Sequence, residues 1–300
     1  MSERFRCAPV SAARSELLLA TASNVRRWLM VEQPGPWGRD ALRESRLPAA
    51  TAAALVRLGQ ELAARVILIR RHGRAQEGPV TAYAAATYPG HSHVESFALE
   101  RPSDLLDLDL SALRHGRRCG GEGVDSLYLV CTNGRHDACC AEFGRPLAAA
   151  LSAALGDAVW ECSHIGGDRF AANLVCFPHG VYYGRLSPQD ATTVAALHEE
   201  GLIDLDRYRG RSALPFVAQA AEHLIRRERG LDRLDELRWR GLARIEDAID
   251  DWQVGFSTRA GSRVTATIRR RPDPVATQLT CQASELHHPP RYELLSLTDG

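Results

Sequence analysis

The sequence predicts an α/β fold, and three observations carry that reading. Short apolar, strand-like runs alternate with helical stretches. The stretch 126–201 reads strand, helix, strand, hairpin, helix. Hydrophobic residues make up 45% of the chain and charged ones 25%, an ordinary globular balance. A chain of 300 residues exceeds the usual size of one core, so more than one domain, or one with a large appendage, is expected. The reading divides it into an N-terminal α/β region over 1–122, a central domain over 123–205 and a small C-terminal α+β appendage over 206–300.

Taken in order, Arg27-Trp-Leu-Met-Val-Glu is an apolar run stopped by Gln-Pro-Gly-Pro-Trp-Gly, a dense turn signal. Residues 49–64 carry Leu55, Leu58 and Leu62 at helical spacing, and Val66-Ile-Leu-Ile follows as a buried strand. Strand-like pieces lie over 82–99. The polar stretch 101–123, ending Arg-Arg-Cys-Gly-Gly-Glu-Gly, is the expected linker. Ser126-Leu-Tyr-Leu-Val then runs straight into Cys131. Pro146 suits a first helical turn, with Leu147, Leu151, Ala154 and Leu155 on one face and Gly156 as the stop.

Ala158-Val-Trp-Glu-Cys162 is a second strand leading into His164, and two further strands flank the turn Pro178-His-Gly. Ser187-Pro-Gln-Asp190 opens a helix with an N-cap, a proline at the first position and an acid three residues on; Gly201 closes it. Beyond it come an amphipathic helix over 213–229, a charged helical stretch through 251, and strand-like runs over 264–268, 278–281 and 292–295. The order within 126–201 is the outline of a thioredoxin-like sandwich, and it sets the chemically suggestive residues at strand ends, where open α/β sheets place their sites.

Those residues are dense. Between Cys131 and Asp168, a span of 38 positions, fall four of the eight cysteines, two histidines and three aspartates. Arginine plus lysine and aspartate plus glutamate both number 37, and the pI is near 7.2. Nothing global therefore argues for nucleic acid or an anionic membrane as partner. No stretch approaches the eighteen or so apolar residues that span a bilayer, and the N-terminus lacks the basic-then-apolar order of a signal peptide. The expectation is a soluble cytoplasmic protein with reduced thiols, in which a Cys/His group reads as a metal or redox site rather than a disulfide framework.

Cys131-x8-Cys140, then His164-Ile-Gly-Gly-Asp168-Arg-Phe-Ala-Ala-Asn173, then Tyr183-Gly-Arg185, together with Trp28-Leu-Met-Val-Glu-Gln-Pro-Gly-Pro-Trp37, resemble the sucrase/ferredoxin-like family over roughly 25–200. The resemblance implies a thioredoxin-like ferredoxin with a [2Fe–2S] cluster, held in fungal members by two cysteines at C-x8-C and two histidines at H-x3-H. Cys131, Cys140 and His164 match three of these ligands. Asp168 stands where the second histidine is expected, and is the expected fourth ligand. Cys162, two residues before His164 and on the same face of an extended strand, is the alternative, with Cys139 after it. No convincing carboxylate pair for glycoside hydrolysis is present, so an electron-transfer protein is expected rather than an enzyme with its own substrate.

Imidazole in place of thiolate raises a cluster's potential, and an aspartate in place of the second histidine lowers it again, so a value between plant-type and Rieske centres is expected. Arg135, Asp137 and Arg169 are candidates for orienting the ligands. His136 is expected beside the site or at the surface rather than as a ligand; Cys7, Cys119, Cys176 and Cys281 as incidental; His179, His287 and His288 as solvated. The partners expected are a reductase or electron acceptor and, by shape, a second copy of the chain. Rival readings are a metal-free thiol redox protein using Cys131, Cys139 and Cys140, a structural zinc site on Cys131, Cys140, His164 and Cys162, and a cofactor-free binding module.

Overall fold

The computed structural model describes residues 5–73, 78–246 and 248–300. Helix α1 (Cys7–Ala13) precedes β1 (Arg27–Glu32), α2 (Ala41–Glu44), α3 (Ala49–Leu62), β2 (Arg65–Arg70), β3 (Val80–Ala86), β4 (His93–Leu99) and the short β5 (Glu122–Gly123). Then follow β6 (Leu127–Cys131), α4 (Ala138–Leu155), β7 (Val159–Cys162), β8 (Leu174–Phe177), β9 (Val181–Tyr183), α5 (Pro188–Glu199) and β10 (Tyr208–Arg211). These strands form a ten-stranded mixed sheet ordered β10-β9-β8-β6-β7-β2-β1-β3-β4-β5. After α6 (Phe216–Arg229), strands β11 (Leu237–Arg244), β12 (Asp251–Thr258), β13 (Arg263–Pro272) and β14 (Pro290–Asp299) make a separate four-stranded antiparallel sheet.

The large sheet is built from the same unit twice. In the first half β1 and β2 are parallel across α3, β3 is antiparallel to β1, and β4 to β3. In the second, β6 and β7 are parallel across α4, β8 is antiparallel to β6, and β9 to β8. The halves join edge to edge where β2 pairs antiparallel with β7, Ile69 opposite Cys162. Alternation along the strands divides the side chains. Leu29 and Val31 pack under Leu55 and Leu62 of α3, and Tyr128 and Val130 under Leu147 and Leu151 of α4.

The opposite faces of both halves share one core containing Trp28, Met30, Leu129, Trp160 and Phe177. Trp28 and Phe177 meet edge to face at 5.4 Å. Their strands are four positions apart in the sheet, about 19 Å if it were flat, so the sheet curls and its two halves face each other.

Four expectations need correction. The helix expected to begin at Pro146 begins at Ala138, with Pro146 inside it. The Asp137 side chain accepts the Cys139 N–H at 2.9 Å and caps the helix a full two turns earlier. The supposed linker 101–123 is packed: 3₁₀ turns over Pro102–Asp107 and Ser111–His115 bury Leu105 and Leu113. The buried Glu95 carboxylate gathers the N–H groups of Cys119, Gly120 and Gly121 there.

The charged stretch before 251 is strand β11, not helix. Its Leu237, Trp239 and Leu242 pack on the small sheet's core, with a register shift at Trp239/Gly241. Residues 278–281 form no strand.

Helix α6 covers the small sheet with Ala218, Ala221 and Ile225 against Val254, Phe256 and Ile268. On an adjoining flank, buried Glu222 ties the helix to the large sheet, receiving Tyr208 Oη at 2.7 Å and Arg211 at 3.0 Å, with Arg226 of its own helix at 3.0 Å.

Burial holds His198 of α5 and His223 of α6 neutral, each down to about 4. Between the unfolded value near 6.5 and about 4 the unfolded chain binds more protons, so stability falls as pH drops through that window. The free energy of unfolding, read from urea titrations, is predicted to decline from pH 7 to pH 5 by on the order of 1–3 kcal/mol per histidine. Replacing both by asparagine should flatten that decline.

A candidate metal centre at paired strand ends

Two parallel strands end side by side, with Cys131 beside Cys162 in register. From Cys131 the chain turns through Thr132 and Asn133, whose carbonyl accepts the N–H groups of His136 and Asp137, both at 3.1 Å, and enters α4. Cys139 and Cys140 therefore sit on the first helical turn. From Cys162 the chain runs through Ser163 and His164 to Gly166 and Gly167, at φ +96° and +81°, and Asp168 opens a 3₁₀ turn. Two consecutive left-handed residues fold this loop back, which only glycine does without steric cost.

The loop is clamped from outside. Buried Arg209 of β10 donates to Gly166 O at 3.1 Å and Asn173 Oδ1 at 2.7 Å, and a Cβ on Gly167 would overlap its guanidinium. Arg65 of β2 donates to His164 O at 2.6 Å. On the Cys131 side, buried Glu161 accepts Thr132 Oγ1 at 2.7 Å and Arg70 at 2.7 Å, with His72 Nδ1 at 2.7 Å. The first half of the sheet thus pins both ligand-bearing loops of the second.

The expected residues meet. Cys140 Sγ lies 3.1 Å from Asp168 Oδ1, and the same oxygen is 2.9 Å from His164 Nδ1. Cys140 donates to Cys131, holding the Cys131 thiol below its usual range against the opposing pull of burial, while Cys140 is pushed up. Burial would raise the Asp168 carboxyl, yet His164, His136 and Cys140 outweigh it and leave it below the ordinary value. Cys131, Cys140 and Asp168 are buried. The two imidazoles are about a quarter exposed, 28% for His164 and 25% for His136, so the histidine edge is the one that faces solvent.

Sequence reasoning placed His136 beside the site or at the surface. Its ring stacks on His164 at 3.7 Å, and its Nε2 is 3.6 Å from Asp168 Oδ2. Nδ1 is held by Arg39 O at 3.2 Å. Burial and the neighbouring His164 keep it less basic than a free histidine. His136, His164 and Asp168 place their ligand atoms within 4.8 Å of one another, close enough to chelate a metal.

Of the other candidates, Cys162 adjoins Cys131 on the paired strand, and the rest have other partners or face solvent. Cys162 is fully buried in the strand, its thiol pushed up by desolvation. Arg135 is exposed on the loop. Arg169 turns away to Glu16 at 2.7 Å, and Arg185 donates to Ser11. Asp137 faces Cys7 and Cys281. Cys7 and Cys281, expected to be incidental, converge on Cys139, behind Cys140 on the helix. His179 is not solvated: its Nδ1 meets Ser92 at 3.0 Å, and burial lowers it to about 4. All eight cysteines are free of disulfides.

Helix α4 reaches the site only because Gly144 lacks a side chain: a Cβ there would overlap the Cys131 carbonyl. Gly144→Ala is predicted to lose about 1–3 kcal/mol of stability by overpacking, read as a lowered urea midpoint. A conservative change on the exposed face of the same helix, Glu142→Gln, should leave the midpoint nearly unmoved.

Altered inheritance of mitochondria protein 32 from Meyerozyma guilliermondii is 31% identical over 98 residues, covering 29% of this chain and 35% of that protein. The match thus spans about a third of that relative's length. Among solved structures, a cysteine-to-serine variant of the thioredoxin-like [2Fe-2S] ferredoxin from Aquifex aeolicus aligns at 18% identity and a TM-score of 0.23, over 26% of this chain and 89% of that one. The sucrase/ferredoxin-like family model matches residues 18–210, and the chain belongs to that family.

Proposed function

We propose that this chain binds one [2Fe–2S] cluster and carries single electrons between protein partners, or reports redox state by losing the cluster. The observation that carries the reading is the buried Nδ1 of His164. It lies 2.9 Å from Asp168 Oδ1, yet has no hydrogen bond of acceptable geometry. An orphaned imidazole nitrogen beside a carboxylate that itself meets the Cys140 thiol suits a metal better than a closed hydrogen-bond network. The donor set fits: soft thiolates from Cys131 and Cys140 for one iron, and His164 with Asp168 for the other. The order β6-α4-β7, hairpin, α5 supports a thioredoxin-like domain around the site.

When bound, the cluster would supply one-electron chemistry at a potential tuned by its ligands. The protein's own contribution is positional. Asp137 and the close approach at Gly144 set the first turn of α4, Glu161 holds Thr132, and Arg65 and Arg209 hold the 163–168 loop. The fold excludes water from the thiol side and leaves the imidazole edge open, so a redox partner would approach from the His136/His164 side. Binding and redox features dominate the site, which favours an electron carrier over an enzyme with its own substrate. No helix among the described residues is long and apolar enough to cross a membrane, and the free thiols suit a reducing compartment such as the cytoplasm.

Protein purified without oxygen should be red-brown, with iron and acid-labile sulfide in equal amounts. Cys131→Ala and Cys140→Ala should each abolish the visible absorbance. His164→Cys should keep the colour and lower the midpoint potential, since thiolate replaces a neutral ligand. A Cys131→Ala variant that folds and keeps the wild-type spectrum would sink the assignment.

A further inference from the structure

A second group of metal-binding side chains lies behind α4, independent of the site described above. Cys7 opens α1, Asp137 and Cys139 begin α4, and Cys281 lies in the connection between β13 and β14. The ligand atoms of all four fall within 4.8 Å of one another. Cys139 Sγ is 3.4 Å from Cys281 Sγ, which is 3.5 Å from Cys7 Sγ. Cys7 Sγ is 3.6 Å from each Asp137 oxygen. From these positions we infer that Cys7, Asp137, Cys139 and Cys281 form a structural zinc site that clasps the N-terminal helix and the C-terminal sheet to the central domain.

Three arguments favour a cation over simple packing. The first is spacing: zinc–sulfur bonds of about 2.3 Å in a tetrahedron put neighbouring sulfurs about 3.8 Å apart. The observed sulfur–sulfur separations of 3.4 and 3.5 Å are within a few tenths of that. The second is charge. Asp137 and Cys139 are fully buried and Cys7 nearly so. The Asp137 carboxylate accepts the N–H groups of Cys139 at 2.9 Å and Cys281 at 2.6 Å. Among the described residues no arginine or histidine forms an ion pair with it. A buried carboxylate beside three thiols lacks a counter-charge, and a divalent cation supplies one.

The third is valence. Three thiols cannot pair off as disulfides without leaving one over, and a carboxylate at 3.6 Å has no part in a disulfide. Soft sulfur donors select zinc over magnesium or calcium. The Cys7 N–H donates to Cys281 Sγ at 3.4 Å, the kind of contact that orients and stabilises a thiolate ligand. Four protein donors fill a tetrahedron and leave no open position, so the role is structural rather than catalytic. Metal entry would pass Cys281, the half-buried member of the group.

The test is elemental analysis of the full-length protein purified from Zn(II)-supplemented culture, with iron and acid-labile sulfide measured on the same samples. One zinc per chain is expected in the wild type. Cys7→Ser and Cys281→Ser should each lower zinc at least tenfold while iron, sulfide and colour stay. Cys131→Ala should keep the zinc whatever happens to the iron, which separates this site from the cluster proposal. Should the serine variants not fold, Co(II) added to metal-stripped wild-type chain should give thiolate charge-transfer and tetrahedral visible bands that Zn(II) displaces.

Three results would overturn the inference: a wild type that takes up neither Zn(II) nor Co(II), zinc retained in full by a folded Cys281→Ser variant, or a disulfide within Cys7, Cys139 and Cys281 in protein kept reduced.

Discussion

The site depends on how closely one helix approaches one strand end. Helix α4 begins within a few residues of the end of β6, and at Gly144 its backbone comes so near the Cys131 carbonyl that no side chain fits between them. That approach turns the Cys140 thiol toward Cys131 and Asp168. It also turns Cys139 the other way, because consecutive helical residues point about 100° apart. One helical turn therefore serves two clusters of donors, one on each side, and Asp137 at its cap supports both through the Cys139 and Cys281 amides.

The paired β-α-β-β-β halves give the rest of the chain a purpose. The thiol donors stand at the strand ends of the second half, while in the first half His72 follows β2 and its imidazole is engaged by Glu161. In the first half the corresponding strand end, at Glu32 and Gln33, continues into a Pro-Gly-Pro turn. What the first half supplies is restraint: Arg65 and Arg70, from the strand at the seam, reach His164 O and Glu161. Curling the sheet brings Trp28 onto Phe177 and closes the shared core beneath the site. A rigid frame of this kind limits how far the donor atoms move, which in the proposed electron carrier would keep reorganisation small.

Much of this was legible in the residue pattern, for local reasons. Strands β1, β2, β6, β7 and β8 are apolar runs ending at glycine, proline or polar turns, and the Ser187/Asp190 capping box marks α5. Cys131, Cys140, His164 and Asp168 lie close together in sequence, and the structure brings them together. The start of α4 was obscured because Pro146 carries the usual signal of a first turn, while the true cap, Asp137, stands before two cysteines of weak helical preference. Strand β11 was masked by its arginines, which sit on the exposed side of the small sheet. The approach of Cys7 and Cys281 to Cys139 spans separations of 130 residues and more, and no spacing rule reaches across three parts of a chain. His136 is expected beside the site or at the surface, and the stacking of its ring on His164 is a tertiary contact that no loop spacing shows.

In the proposed cluster, the ligand that would complete the second iron is the sharpest point, since Asp168 and His136 both reach His164. Pulsed electron paramagnetic resonance of the reduced protein, with and without nitrogen-15-labelled histidine, counts the imidazole nitrogens bound directly to iron. The account predicts one strongly coupled nitrogen, from His164, unchanged in a His136→Ala variant. Two such nitrogens, one of them lost with His136, would contradict aspartate ligation.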